Sequence, residues 1–128
     1  MASVLIVDDE AAVRSVLRRM AESGGHAVRT AGDAHTALSA LQTEGAEVVL
    51  TDVHMVGPNG LWLADQIREQ FPLSAIVLAT GDSTIPPIES LRRGIVGYIL
   101  KPFQRRPVLD AIENGARWVA EARALQRP

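Results

Sequence analysis

The chain has 128 residues, enough for one domain with a proper core, and its 47% hydrophobic and 22% charged content excludes a disordered chain. A formal net charge of −2 with no dense basic cluster gives no support to direct nucleic-acid binding by this domain. There are no cysteines, which excludes disulfides and thiol chemistry, and no apolar run is long enough to cross a bilayer, so no membrane partner is expected.

Met1 leads straight into Val4-Leu5-Ile6-Val7 and then two aspartates, which is not the pattern of a secretory signal, so a cytoplasmic location is the default expectation. That first run is β-branched and continuous, as in a strand buried on both faces. Val13, Val16, Leu17 and Met20 then form the stripe of a first helix, which Gly24-Gly25 stops. The run His26–Thr30 mixes apolar with polar residues and suits an edge strand, and Asp33 can cap a second helix carrying Ala37, Leu38 and Leu41. Val48-Val49-Leu50 reads as a third buried strand, followed by a third helix with Leu61, Leu63, Ala64 and Ile67 that ends before Pro72. Ala75–Ala79 is the fourth strand.

Beyond it, Ile85-Pro86-Pro87 delays a short fourth helix, which carries Leu91, is closed by Gly94 and follows a long, mobile Thr80–Pro87 loop. Tyr98-Ile99-Leu100 is the fifth strand, and Pro107 fits the first turn of a fifth helix with Leu109, Ile112, Ala116 and Val119. A second stripe on that helix, Ala111, Gly115, Trp118, Ala122 and Leu125, has two readings. One is a partly exposed tail in which Gly115 weakens the helix by about 1 kcal/mol relative to alanine. The other is a dimer contact or a linker to an output domain. Five strand–helix repeats predict an α/β fold: a doubly wound, five-stranded parallel sheet of flavodoxin-like order 2-1-3-4-5, with helices on both faces. The expected domain spans 1–119, with 120–128 as an extension of the last helix.

Polar residues stand at the carboxyl ends of these strands, on the rim where such sheets bind ligands: Asp8-Asp9, Asp52, Thr80 and Lys101. Singly, each has a plain alternative. Asp8 or Asp9 can cap the first helix, Asp52 can begin a turn, Thr80 can bond local backbone, and Lys101-Pro102 can be a solvated loop. Together they make chemical sense as one site. Three crowded carboxylates repel, a divalent cation with oxygen ligands relieves that, and three carboxylates plus one lysine sum to −2, which Mg2+ neutralises.

At these residues the sequence resembles the receiver domain of two-component response regulators. The matching segments are Val4-Leu5-Ile6-Val7-Asp8-Asp9-Glu10, Leu50-Thr51-Asp52-Val53-His54-Met55, Ala79-Thr80-Gly81 and Tyr98-Ile99-Leu100-Lys101-Pro102-Phe103. The resemblance implies that Asp52 is the phosphoacceptor for a sensor histidine kinase or phosphotransfer protein. It implies Mg2+, with Mn2+ as a substitute, held by Asp9 directly, by Asp8 largely through water, by Asp52 and by the backbone carbonyl of His54. Thr80 and Tyr98 would be the switch pair, Lys101 would bridge to the phosphate, and the peptide bond before Pro102 would be cis. His54, Gly81 and Asp82 would tune the lifetime of the phosphoryl group. The chain would be a signalling switch with self-catalysed phosphotransfer and autodephosphorylation only. Val56-Gly57 stand before Pro58 where the family usually has proline at once, so the loop after Asp52 is expected to take its own path. A metal-dependent phosphatase would need a further acid and a cap domain for which there is no room. An interaction module with a vestigial site would not keep the whole polar set, and the glycine-rich fingerprints of nucleotide binders are missing.

Overall fold

A computed structural model describes residues 1–81 and 95–126. Its elements run β1 (Ser3–Val7), α1 (Ala11–Ser23), β2 (Ala27–Ala31), α2 (Ala34–Thr43), β3 (Val48–Asp52), α3 (Gly60–Gln70), β4 (Ala75–Thr80), β5 (Ile95–Leu100) and α4 (Arg105–Leu125). The strands form one parallel sheet in the order β2-β1-β3-β4-β5, the expected flavodoxin-like arrangement. Helix α4 is the helix expected as the fifth. The short helix around Leu91, its Pro86-Pro87 start, its Gly94 stop, Asp82 and the loop beyond Gly81 lie outside the described residues.

Successive side chains on a strand face opposite ways, and this sorts the apolar runs into two cores. Leu5, Val7, Val49 and Leu78 pack on α2 and α3 through Leu41, Leu63 and Ile67. Val4, Ile6, Leu50 and Val77 pack on α1 and α4 through Leu17, Val108 and Ile112. Two of the helices start where a side chain satisfies a free amide: Asp33 accepts from Thr36 N–H at 2.7 Å for α2, and Asn59 accepts from Trp62 N–H at 2.9 Å for α3. At the other end of α1 the chain reverses through Gly25, whose φ of +86° is the left-handed region that favours glycine.

Several expectations change in detail. Val16 is exposed rather than part of the α1 core, since Leu17 and Ala21 supply the buried stripe. β5 is longer than its apolar core suggested and is not buried on both faces: as an edge strand it exposes Tyr98 and Leu100. Ile76 pairs with Ile95 but Val77 pairs with Gly97, so Val96 is an extra residue, a bulge on β5. That insertion is why Ile95 and Ile99, four apart, join opposite cores. The polar character of β2 also has a cause. Arg29 donates to the carbonyls of Ala40, Glu44 and Gly45, closing the end of α2 from the sheet edge.

Gly115 is not merely a weak point in α4. A Cβ there would stand 3.0 Å from Val48 Cγ2 and 3.3 Å from Ala75 Cβ, so its missing side chain lets the helix press on β3 and β4. Ala111 and Trp118 pack against the same core, and the stripe reaches solvent only at its end, where Leu125 is 87% exposed.

At the pole opposite the strand ends, Ala2 N–H donates to His26 Nδ1 at 3.0 Å and ties β1 to β2. Burial, aided by the nearby α-amino group, holds His26 below the usual imidazole value against the pull of Glu113 and Glu47. The neutral ring is therefore the folded form. The unfolded chain takes up this proton at higher pH, so the contribution is present above about pH 6.5 and is lost as pH falls through that value towards the lower folded pKa. Urea midpoints measured from pH 7.5 to 5.5 should fall more steeply for the wild type than for His26→Gln, and parallel curves would contradict the assignment.

Candidate functional site

The parallel strands end on one rim, so the residues at their carboxyl ends become neighbours without being close in sequence. Asp8 follows β1, Asp52 ends β3, Thr80 ends β4 and Lys101 follows β5. Asp8, Asp9 and Asp52 each offer a carboxylate oxygen, and these oxygens all lie within 4.8 Å of one another. Asp8 and Asp52 are buried and Asp9 partly so.

Each member is held by named contacts. Asp8 Oδ1 accepts from Glu10 N–H at 2.8 Å, while Oδ2 is buried with no hydrogen-bond partner among the described residues. Burial raises the Asp8 pKa above the usual carboxylate value, and the charges of Asp52 and Asp9 add to the shift. The Glu10 amide and Lys101 act in the opposite sense. Asp9 Oδ2 accepts from Val56 N–H at 2.9 Å, which ties the β1–α1 turn to the loop after β3. Asp52 Oδ1 faces His54 N–H at 3.4 Å, and Oδ2 stands 3.8 Å from Lys101 Nζ. The Lys101 amide donates to the Thr80 carbonyl at 2.9 Å, its ammonium lies 5.8 Å from the centre of the Phe103 ring, and the Lys101–Pro102 peptide bond is cis.

This geometry decides one of the plain alternatives. The cap residue of α1 is Glu10, and no side chain caps that helix, so neither Asp8 nor Asp9 serves as its cap. Both side chains are turned to the cluster and its loop. The donor set fits a small, hard divalent cation: three carboxylate oxygens lie close together, and Asp8 Oδ2 is buried with no hydrogen-bond partner among the described residues.

Thr80 is buried beside Asp52, and Gly81 is exposed, with the aliphatic part of Lys101 alone among the described residues within reach of a would-be Cβ. His54 is exposed. Tyr98 is 56% exposed and takes no part in the cluster in this arrangement. The sequence reading missed three contributors. Val56 supplies its amide to Asp9, which is how the loop copes with Val56-Gly57, Gly57 taking a φ of +80°. Arg14 reaches back to the Asp8 carbonyl. Gly60 starts α3 so close to β3 that a Cβ would lie 2.1 Å from the Asp52 carbonyl oxygen. Two signals were visible among them: an arginine one turn into the helix after an acidic pair, and Gly60 in the place before the third helix that the family resemblance expects.

Over residues 4–113 the chain matches the family described as the response regulator receiver domain. The response regulator protein FleR of Pseudomonas aeruginosa is 34% identical over 116 residues, covering 90% of this chain and 24% of FleR. The DNA-binding transcriptional regulator NtrC of Azospirillum brasilense is 33% identical, over 88% of this chain and 24% of its own length. Among solved structures, the receiver domain of NtrX from Brucella abortus aligns with a TM-score of 0.83 at 32% identity, covering 89% of this chain and 98% of that one. The chain therefore belongs to the receiver-domain family of two-component response regulators, and it spans about a quarter of the length of FleR and NtrC. No helix among the described residues is long and apolar enough to cross a membrane.

Gly60 gives this site a direct mechanical test. An alanine methyl would have to displace main-chain atoms of β3 rather than a flexible side chain, and such overpacking costs about 3 kcal/mol. Urea denaturation of Gly60→Ala should show a loss of that order, and wild-type stability would contradict the close approach.

Proposed function

We propose that this domain is a phosphorylation switch in which Asp52 accepts a phosphoryl group from the phosphohistidine of a sensor histidine kinase or phosphotransfer protein. Asp8, Asp9, Asp52 and the main-chain carbonyl of His54 would hold Mg2+, or Mn2+ in its place. What supports this most is the buried, unpartnered Oδ2 of Asp8 inside a cluster of three carboxylates. When bound, the cation supplies the positive charge that lets the carboxylates ionise together and lets phosphoryl oxygens approach them.

The remaining roles follow from the chain's own residues. An ionised Asp52 attacks through a carboxylate oxygen, so no base has to remove a proton. The O–P bond forms as the N–P bond of the donor breaks. Lys101, 3.8 Å from Asp52 Oδ2, neutralises charge on the transferred group, and the Thr80 hydroxyl at the neighbouring strand end donates to a phosphoryl oxygen. In the switch, Thr80 moves towards that oxygen and Tyr98, outward in this structure, turns in behind it. Inverting a two-state equilibrium of ~1:99 takes about 5.5 kcal/mol of preference, which a few charge-assisted hydrogen bonds supply. His54, Gly81 and Asp82 set how long the acyl phosphate survives. The domain signals rather than turning over a substrate. Residues 120–128 serve as a linker to an output domain or as a contact with a second copy, and the greater length of the relatives favours the linker.

Beryllofluoride, a phosphoryl mimic, provides the test. In the presence of Mg2+ it should bind the wild type and shift the backbone amide resonances of Thr80, Tyr98 and Lys101 in NMR spectra. Asp52→Asn should abolish the shifts, and undiminished binding to Asp52→Asn would remove Asp52 from the centre of the reaction.

A further inference from the structure

The acidic turn has to be held by something outside the sheet. β1 leaves its ladder with β3 at the Val7–Thr51 pair, and only Asp8 N–H, bonded to the Ala31 carbonyl at 3.2 Å, continues the pairing with β2. Helix α1 begins at Ala11 with no side-chain cap, so the link from Asp8 to Glu10 has little regular structure to fix it.

Arg14, in the first turn of α1, fills that role geometrically. Its Nη1 donates to the Asp8 main-chain carbonyl at 2.6 Å, a short, charge-assisted bond made six residues back along the chain. The guanidinium lies against Gly32, between β2 and α2, where a Cβ would stand 3.4 Å from Nη1 and 3.8 Å from Cζ. The slot is thus built by three separate parts of the fold.

The bonded carbonyl belongs to the peptide group that joins Asp8 to Asp9. Because that group is planar, rotating it changes the backbone angles of both residues and swings both carboxylates. With its carbonyl on Arg14, its amide on Ala31 and Oδ1 on Glu10, Asp8 has Oδ2 alone left towards the cluster. Arg14 meets Asp8 at its main-chain carbonyl.

We infer that Arg14 is a positioning residue that holds the Asp8–Asp9 peptide so that both carboxylates converge on Asp52, and that it thereby sets the affinity of the site for a divalent cation. This rests on the metal-assisted reading of the site given above. Hydrogen-bond partners that orient metal ligands typically contribute 10- to 100-fold to metal affinity, so a loss of about tenfold is expected when the bond is removed.

Mn2+ binding to the 128-residue chain, followed by the loss of the free-ion electron paramagnetic resonance signal, tests it at a temperature where thermal melts show each variant folded. Arg14→Met should raise the Mn2+ Kd about tenfold. Arg14→Lys keeps the charge but not the planar fork and should remain at least about threefold weaker than the wild type. Arg18→Met removes an exposed arginine one turn later, paired with Glu22, and should leave the Kd unchanged. The inference is overturned if Arg14→Met or Arg14→Lys binds within about twofold of the wild type, or if Arg18→Met weakens binding as much. If Arg14→Met does not fold, Arg14→Lys against Arg18→Lys decides by the same criterion. A wild-type chain that binds no Mn2+ would instead sink the metal-assisted reading itself.

Discussion

Three carboxylates share one small space at the end of the sheet, and one of them, Asp8, is wholly buried with an oxygen that none of the described residues satisfies. Burying an anion costs free energy, and burying it beside two more costs further. A fold selected for stability alone would place apolar residues there. The surrounding contacts instead keep the cluster together: the Glu10 amide on Asp8, the Val56 amide on Asp9, and the Lys101 ammonium near Asp52. The site is a stored repulsion whose donor set fits a divalent cation.

Holding it open requires rigid support, which the sheet and its close helices provide. Leu5, Val7 and Val49 lock β1 and β3 onto α2 and α3, fixing Asp8 and Asp52 at neighbouring strand ends. Gly60 lets α3 start against the Asp52 carbonyl, and Gly115 lets α4 lie on β3 and β4 from the other side. Strand β3 is therefore gripped from both faces. Edge strand β5 is not: Tyr98 and Leu100 face solvent, and Val96 bulges out of the ladder.

Much of this was legible in the sequence, because side-chain type and spacing carry the information. Continuous β-branched runs such as Val4–Val7 mark strands buried on both sides, and the polar second run marks an edge, so the strand order follows. Once parallel strands are assigned, Asp8, Asp52, Thr80 and Lys101 fall on one rim by their positions alone. Contacts through space were not legible. The Arg14 bond is made to a main-chain carbonyl, which has no sequence signature, and the Val56 amide is equally anonymous. Gly115 read as a weak helix residue because its neighbours, Val48 and Ala75, lie far away in sequence. The Val96 bulge escaped notice because alternation in a short edge strand is too brief to show a one-residue slip.

If repulsion at the cluster is the cost and a divalent cation its relief, neutralising one buried carboxylate must stabilise the metal-free protein and remove its response to the metal. Thermal unfolding of the wild type and Asp8→Asn at pH 7, each in chelator and in excess Mg2+, measures both effects. The account predicts that Asp8→Asn melts higher than the wild type in chelator. It also predicts that Mg2+ raises the wild-type midpoint, by the equivalent of about 2.7 kcal/mol at a hundredfold excess over Kd, and leaves Asp8→Asn nearly unmoved. An Asp8→Asn protein that melts below the wild type in chelator, together with a wild type indifferent to Mg2+, would contradict it.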